Sequence, residues 1–336
     1  MNDNDRQSNR STMFEEVLTV LNAGQRFVVT GHEMVDGDST GCELALHYGL
    51  KSLGKTVEIV NNETIMDRYQ FLDPEGHCGV FDAAAFSRQL EAADAMIVVD
   101  NNSWSRLRDL EPAARAFEKP VICIDHHRVS EPFSAWHLYD TAAAATGELV
   151  FDLLKALGAT IDAAAAEALF VALTADTGWF RYSNTTRRSF DIARELVDCG
   201  ADPDRVNRET NYQETLELRR LMGRLWNGVQ TACNGKVAWG VLSQEMVRAE
   251  GVRMKDTDGF IDELRTLKGV GIVALIKELA NGEIKLSLRS SPPYSAHAVA
   301  TQLGGGGHRH ASGATLKGPL AEAVERVAGL MMAASN

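Results

Sequence analysis

The sequence predicts an α/β protein: a mostly parallel sheet with helices on both faces in the first part, then a smaller C-terminal α+β domain. Three observations carry this expectation. Short, nearly unbroken apolar runs rich in Val and Ile recur at 27–30, 57–60, 96–99 and 121–124, the pattern of strands buried on both faces. The segments between them are helical or loop-like, so strands alternate with helices. Beyond residue 225 the pattern changes to a pair of strands turning at Asn281-Gly282, a tight-hairpin signal.

In chain order, Thr12 and Glu15 form a capping box, and Phe14, Val17, Leu18 and Leu21 follow at helical spacing, which predicts an amphipathic helix from there to about Ala23. The strand at 27–30 leads through an acidic loop into a helix at 39–53, closed by Gly54. Ala-rich helices are expected at 142–157 and 163–174, and a polar, Arg-rich helical stretch at 184–224. The second part restarts with a strand at 237–242, a helix from Gly259 and strands at 270–279 and 283–290, ahead of the loop Leu303-Gly304-Gly305-Gly306-Gly307-His308. Domains are placed at 1–190 and 226–336, with 191–225 as a helical linker.

With 336 residues and 45% hydrophobic content the chain can bury two cores. Five scattered cysteines without a C-x-x-C pair fit reduced thiols in a cytoplasm, and no apolar run approaches the ~18 residues of a membrane span. A cytoplasmic protein that is not exported is expected. The net charge of −12 argues against coating long duplexes, yet leaves room for a local cationic cleft holding a short phosphorylated substrate.

Four polar clusters stand at the ends of expected elements: His32 to Asp38 after the first strand, Asp100 after the third, Asp125-His126-His127 after the fourth, and Asp176-Thr177-Gly178 at a helix end. The carboxyl ends of strands in an open parallel sheet converge on one crevice, so these clusters are expected to share a site. Carboxylates and imidazoles suit hard or borderline cations, and His32, Asp36, Asp38, Asp100, His126 and Asp176 suffice for a two-metal centre with a bridging ligand. Crowded carboxylates repel one another, and bound cations are the simplest way to keep them ionised.

His32-x-x-x-Asp36-x-Asp38, Asp100, Asp125-His126-His127 and Asp176-Thr177-Gly178, followed by Gly304 to His308 and Ser312-Gly313-Ala314, closely resemble the DHH phosphoesterases carrying a DHHA1 domain. Within them the chain looks most like the branch that hydrolyses short oligoribonucleotides and 3′-phosphoadenosine-5′-phosphate. The resemblance implies that His32, Asp36 and Asp100 bind one metal and Asp38, Asp100, His126 and Asp176 a second, with Asp100 as bridge. It implies that His127 contacts the reacting phosphate, that Asp125 orients the histidines, and that Arg289, Gly305, Gly306 and His308 bind substrate phosphate. Manganese is the implied cofactor, with Mg²⁺ or Co²⁺ as substitutes, and water activated between two ions the implied nucleophile. Arg106 and Arg181 lie near their motifs and are weaker candidates for phosphate contact. A homodimer is compatible with the sequence. Val35 and Cys42 stand where such proteins usually have proline and serine, and His310 is unusual beside His308.

Other phosphate chemistries remain open alternatives: a cyclic-dinucleotide phosphodiesterase, a pyrophosphate or polyphosphate phosphatase, or a nucleotide sensor without turnover. Gly49 to Thr56 has the letters of a phosphate-binding loop, but it closes a helix instead of opening one, so Gly54 is read as a helix cap. His47, His77, His137 and His297 belong to no motif and are read as packed or solvated. Trp104, Trp136, Trp179 and Trp226 are read as core or interface, Trp179 being worth testing for its place beside Asp176.

Overall fold

The computed structural model describes residues 3–33, 36–101, 103–127 and 134–335; Val35 lies outside them. The chain forms two compact units, Met1–Gln213 and Glu214–Asn336.

The first unit begins with α1 (Asp3–Ala23), β1 (Arg26–Thr30), α2 (Gly37–Ser52) and β2 (Thr56–Asn61). A 3₁₀ turn at Asp67–Leu72 precedes β3 (Cys78–Val80), α3 (Ala83–Ala92) and β4 (Ala95–Val99). After a second 3₁₀ segment, Trp104–Leu110, come α4 (Glu111–Arg115), β5 (Val121–Asp125), β6 (Trp136–Tyr139), α5 (Thr146–Ala156), α6 (Ala163–Thr177), α7 (Arg187–Asp198) and α8 (Pro203–Asn211).

The six strands lie in the order β3-β2-β1-β4-β5-β6, and each neighbouring pair is parallel. This is the expected parallel sheet. The strand order reverses between β1 and β4, and a crevice opens outside the carboxyl ends at such a switch point. Each face is covered. Phe27, Val29, Ile97 and Ile122 pack with α2, α5 and α6, while Val28, Met96, Val98 and Cys123 pack with Phe86 and Leu90 of α3 and with Leu107 and Leu110. Each such side chain removed from water contributes about 1.5–3 kcal/mol before chain entropy is counted.

Glycines let α2 sit close to α6. A Cβ at Gly41 would stand 2.3 Å from the Ala168 carbonyl oxygen, so no side chain fits there. Gly54 follows α2 with φ +76°. Lys55, in the phosphate-loop-like run, is buried and donates to the Gly24 carbonyl at 2.6 Å, so a backbone site in the fold takes its charge.

Helix α1 starts well before Thr12, which therefore lies inside it. The sequence ahead of Thr12 contains no proline or glycine that would stop a helix. The expected helix at 142–157 starts at Thr146 instead, because Ala143 to Ala145 are in a turn that delivers the helix to the site.

The second unit comprises α9 (Leu216–Asn227), β7 (Gln230–Ala232), β8 (Val237–Leu242), α10 (Gln244–Ala249), α11 (Phe260–Leu264), β9 (Ile272–Glu278) and β10 (Ile284–Ser290), then α12 (Ala296–Gln302), β11 (Gly306–His308), β12 (Ala311–Leu316) and α13 (Leu320–Ala333). Its sheet runs β11-β12-β10-β9-β8-β7; β8 and β9 are parallel and the remaining pairs antiparallel. This is the expected smaller α+β domain. Of the stretch 191–225, α7 and α8 belong to the first unit and α9 to the second.

Candidate active site

Each polar cluster sits where the topology directs it. His32 and Asp36 follow β1, and Asp36 is the N-cap of α2, accepting from the backbone N–H groups of Asp38 and Ser39. Asp100 follows β4 on the other side of the switch point, with φ +54°, a left-handed conformation rare for a non-glycine residue and typical of sites that hold strain. Asp125 ends β5, with His126 and His127 beyond it, and Asp176 occupies the last turn of α6, capped by left-handed Gly178. Positions scattered over nearly 150 residues of sequence are thereby brought to one crevice.

His32 Nε2 lies 3.5 Å from Asp100 Oδ2 and 3.6 Å from Asp36 Oδ2. His126 Nε2 lies 3.0 Å from Asp176 Oδ2, 3.7 Å from Asp100 Oδ1 and 3.9 Å from Asp38 Oδ2. His127 Nδ1 is 2.8 Å from Asp125 Oδ1 and 3.4 Å from Asp100 Oδ1. Three overlapping groups offer ligand atoms within 4.8 Å of one another and could hold a metal ion: His32, Asp36 and Asp100; Asp38, His126 and Asp176; Asp100, His126 and His127. Asp100 belongs to two of them.

The donor set fits divalent cations. His126 Nδ1 is 3.3 Å from the Ala143 carbonyl oxygen, a contact that puts its proton on that side and turns Nε2 toward three carboxylates, yet Nε2 makes no hydrogen bond among the described residues. The electrostatics agree. Burial, then the charges of Asp100, Asp176 and Asp36, push the Asp38 carboxyl well above its ordinary range. Burial works against ionisation of Asp100 as well, but hydrogen bonds from His127 and His32 outweigh it and hold that carboxyl below its ordinary value. Burial lowers His32, but Asp100 and Asp36 overcome it and raise the imidazole to about 9; Asp100 and Asp125 raise His127 to about 10. A crowd of buried carboxylates draws positive charge from whatever source is at hand, whether proton or cation.

Several supporting residues carry no motif. Thr146, the first residue of α5, donates its backbone N–H to Asp38 Oδ2 at 2.7 Å and its hydroxyl to Asp100 Oδ1 at 3.1 Å, and the Gly147 N–H reaches Asp38 Oδ1 at 3.0 Å. A helix N-terminus is thus aimed at two aspartates. Buried Glu43 accepts from Asn61 Nδ2 at 2.7 Å, while Asn61 Oδ1 accepts from the Gly31 N–H at 3.3 Å, steadying the chain next to His32. Cys42 donates its thiol to Asp38 Oδ1 at 3.4 Å, so at this departure the sulfur also faces the site. Only Thr-Gly opening a helix was a readable signal for any of these.

Arg106 is half-buried in the second 3₁₀ segment, close enough for its charge to oppose protonation of His32. Arg181 donates Nε to the Gly178 carbonyl at 2.6 Å. In the second unit, Arg289, Gly305 and Gly306 line an open pocket of about 650 Å³ together with Lys285. Arg289 Nε donates to Asp262 Oδ1 at 3.2 Å; exposed His308 ends β11; and His310 Nδ1 is 3.1 Å from Ser290 Oγ. A Cβ at Gly305 would lie 2.1 Å from the Gly313 carbonyl oxygen, the close backbone approach expected of this loop.

Residues 26–173 match the DHH family, N-terminal domain, and residues 234–333 match the DHHA1 domain. The bifunctional oligoribonuclease and PAP phosphatase NrnA of Thermus thermophilus is 31% identical over 93% of this chain and 90% of its own length. The protein of the same name from Mycoplasma genitalium is 25% identical over 90% and 92%. The crystal structure of an exopolyphosphatase-related protein from Bacteroides fragilis superposes with a TM-score of 0.88 at 25% identity, covering 96% of each chain. The fold and the cluster at its switch point define a hydrolase of phosphoester bonds. The chain belongs to the DHH family and carries a DHHA1 domain.

Proposed function

We propose that this enzyme hydrolyses short oligoribonucleotides and 3′-phosphoadenosine-5′-phosphate with two divalent cations, Mn²⁺ being preferred. His32, Asp36 and Asp100 would hold one ion, Asp38, Asp100, His126 and Asp176 the other, with Asp100 shared. The carrying observation is that Asp100, strained and almost fully buried, lies within reach of both His32 and His126. Bound cations supply Lewis acidity at a phosphoryl oxygen and make water a better nucleophile at neutral pH.

The chain's own groups do the rest. The His127 side chain is 45% accessible at the crevice and would donate a hydrogen bond to a phosphate oxygen. Asp125 fixes its orientation by accepting from both the backbone N–H and Nδ1 of His127. Arg106 and Arg181 offer further cationic contacts, and Arg289, Gly305, Gly306 and His308 would bind a substrate phosphate in the second unit. The names of the Thermus and Mycoplasma relatives support this substrate class. The name of the Bacteroides neighbour keeps polyphosphate as a second reading.

Product release in Mn²⁺ from a 5′-phosphorylated dinucleotide, a longer oligoribonucleotide, 3′-phosphoadenosine-5′-phosphate, cyclic di-AMP and polyphosphate separates these readings. Turnover of the first three, abolished in Asp100→Ala, is expected. Cleavage of polyphosphate or the cyclic dinucleotide alone would overturn the assignment.

A further inference from the structure

The Asp36 and Asp176 carboxylates also border a cleft of about 310 Å³ within the first unit, whose walls include Arg68, Tyr69, Trp179, Arg181 and Tyr182. Its construction is specific. After Gly178 the chain keeps a left-handed conformation through Trp179 (φ +58°) and Phe180 (φ +62°), two consecutive large residues where such angles are unfavourable. The strained turn sends Phe180 away to stack on Phe190, ring centroids 5.0 Å apart, and leaves Trp179, Arg181 and Tyr182 on the cleft. The Tyr182 ring covers Gly178 so closely that a Cβ there would lie 2.4 Å from it.

Two further features point to a ligand. Tyr69 is 9% exposed, its hydroxyl 2.8 Å from where a Gly37 Cβ would stand, and no group among the described residues hydrogen-bonds that hydroxyl. Arg187, Arg188, Arg194, Arg205 and Arg208 on the nearby helices all form ion pairs. Arg68 and Arg181 form none among the described residues, although both stand at a cleft bordered by carboxylates. An inorganic anion would leave the aromatic faces unused, and an apolar ligand would leave two arginines and the Tyr69 hydroxyl without partners.

We propose that this cleft binds a nucleoside monophosphate moiety of the substrate, with the base against Trp179 and Tyr182, the phosphate held by Arg68 and Arg181, and the Tyr69 hydroxyl donating to a substrate oxygen. The inference rests on the phosphoester-hydrolase reading and adds the part of the site that recognises the nucleotide. Base stacking on aromatic side chains is tolerant of sequence, so the cleft favours a nucleotide without selecting one base.

The test uses AMP as probe, with tryptophan fluorescence in the wild type and calorimetric AMP affinity in every variant as readouts, and the 5′-phosphorylated dinucleotide measured in parallel in Mn²⁺. Saturable quenching by AMP is expected in the wild type, and a weaker AMP affinity in Trp179→Phe. Arg68 is exposed and its replacement does not threaten folding, so Arg68→Gln is expected to weaken AMP binding about tenfold and to raise KM for the dinucleotide by a similar factor, with little change in kcat. Wild-type AMP affinity in both variants, with dinucleotide turnover intact, would overturn the subsite and leave the hydrolase standing. Loss of AMP binding in both variants of a protein that hydrolyses no nucleotide would support the subsite and sink the substrate assignment.

Discussion

Thr146 donates its hydroxyl to Asp100 Oδ1 at 3.1 Å from the first residue of a helix whose leading N–H groups already grip Asp38. The side-chain bond and the backbone bonds can be separated. Thr146→Val keeps the helix start and the N–H contact to Asp38 but leaves a buried oxygen of Asp100 without one donor. Groups that orient metal ligands are typically worth about 10–100-fold in activity or metal affinity, and a loss in that range is expected, with Thr146→Ser near wild type. Steady-state kinetics across an Mn²⁺ titration checks this. A Val variant with unchanged kcat and metal dependence would show that the hydroxyl merely fills space.

Asp100 itself carries a heavier expectation because it lies within reach of both imidazoles. Asp100→Asn removes a charge shared by two candidate ion sites, so activity is expected to fall by more than the roughly 100-fold that a supporting group costs. Chelation should abolish wild-type activity and Mn²⁺ restore it. Stability offers an independent readout: a ligand at about 100 times its Kd stabilises the folded state by about 2.7 kcal/mol. The melting temperature should therefore rise with Mn²⁺ in the wild type and respond much less in Asp100→Asn. Equal shifts in both would place the ions elsewhere.

In the second unit, Gly305 tests the loop proposed to bind substrate phosphate without touching a charge. A Cβ there would press on the backbone oxygen of Gly313 at 2.1 Å and on Ala314, so Gly305→Ala must push the loop away from β12. Overpacking of this kind costs about 1–3 kcal/mol where the backbone has to move. The expected outcome is a raised KM for nucleotide substrates with a modest drop in melting temperature. Neighbouring Gly306, where a Cβ meets nothing within 4 Å, should tolerate alanine better in stability. Identical behaviour of the two variants would contradict this account.

The parts of the fold legible in the sequence were those whose residues answer to a single constraint. Phe27, Met96 and Val121 open the apolar runs of strands buried on both faces, and the convergence of the clusters at the ends of those runs follows from a parallel sheet. Strand β3, with Gly79 and Val80 exposed, and β6, where Trp136, His137 and Tyr139 are partly accessible, carry no such run and were invisible. The same contrast divides the site. Motif residues could be read because acid and imidazole at strand ends have few other uses, whereas Thr146, Asn61 and Tyr69 act through positions that only tertiary packing creates.

Glu43 gives the last expectation, and its sign follows from proton accounting. Its carboxyl is fully buried in α2, and burial raises its pKa from 4.5 to about 8 against hydrogen bonds from Asn61 and Ser39. Between these two values the folded chain keeps a proton that the unfolded chain has released, so the unfolded state binds fewer protons. Stability contributed by this group is therefore complete below 4.5 and is lost as pH rises toward 8, at up to about 1.4 kcal/mol per pH unit. Glu43→Gln keeps an oxygen to accept from Asn61 and removes the titration. In chelator-treated protein, the melting temperature of the variant relative to wild type should climb steadily from about pH 5 to about pH 8. Parallel curves across that range would mean that Glu43 is ionised in the folded protein, and the network from Glu43 through Asn61 to Gly31 would then hold the His32 segment with a charged anchor.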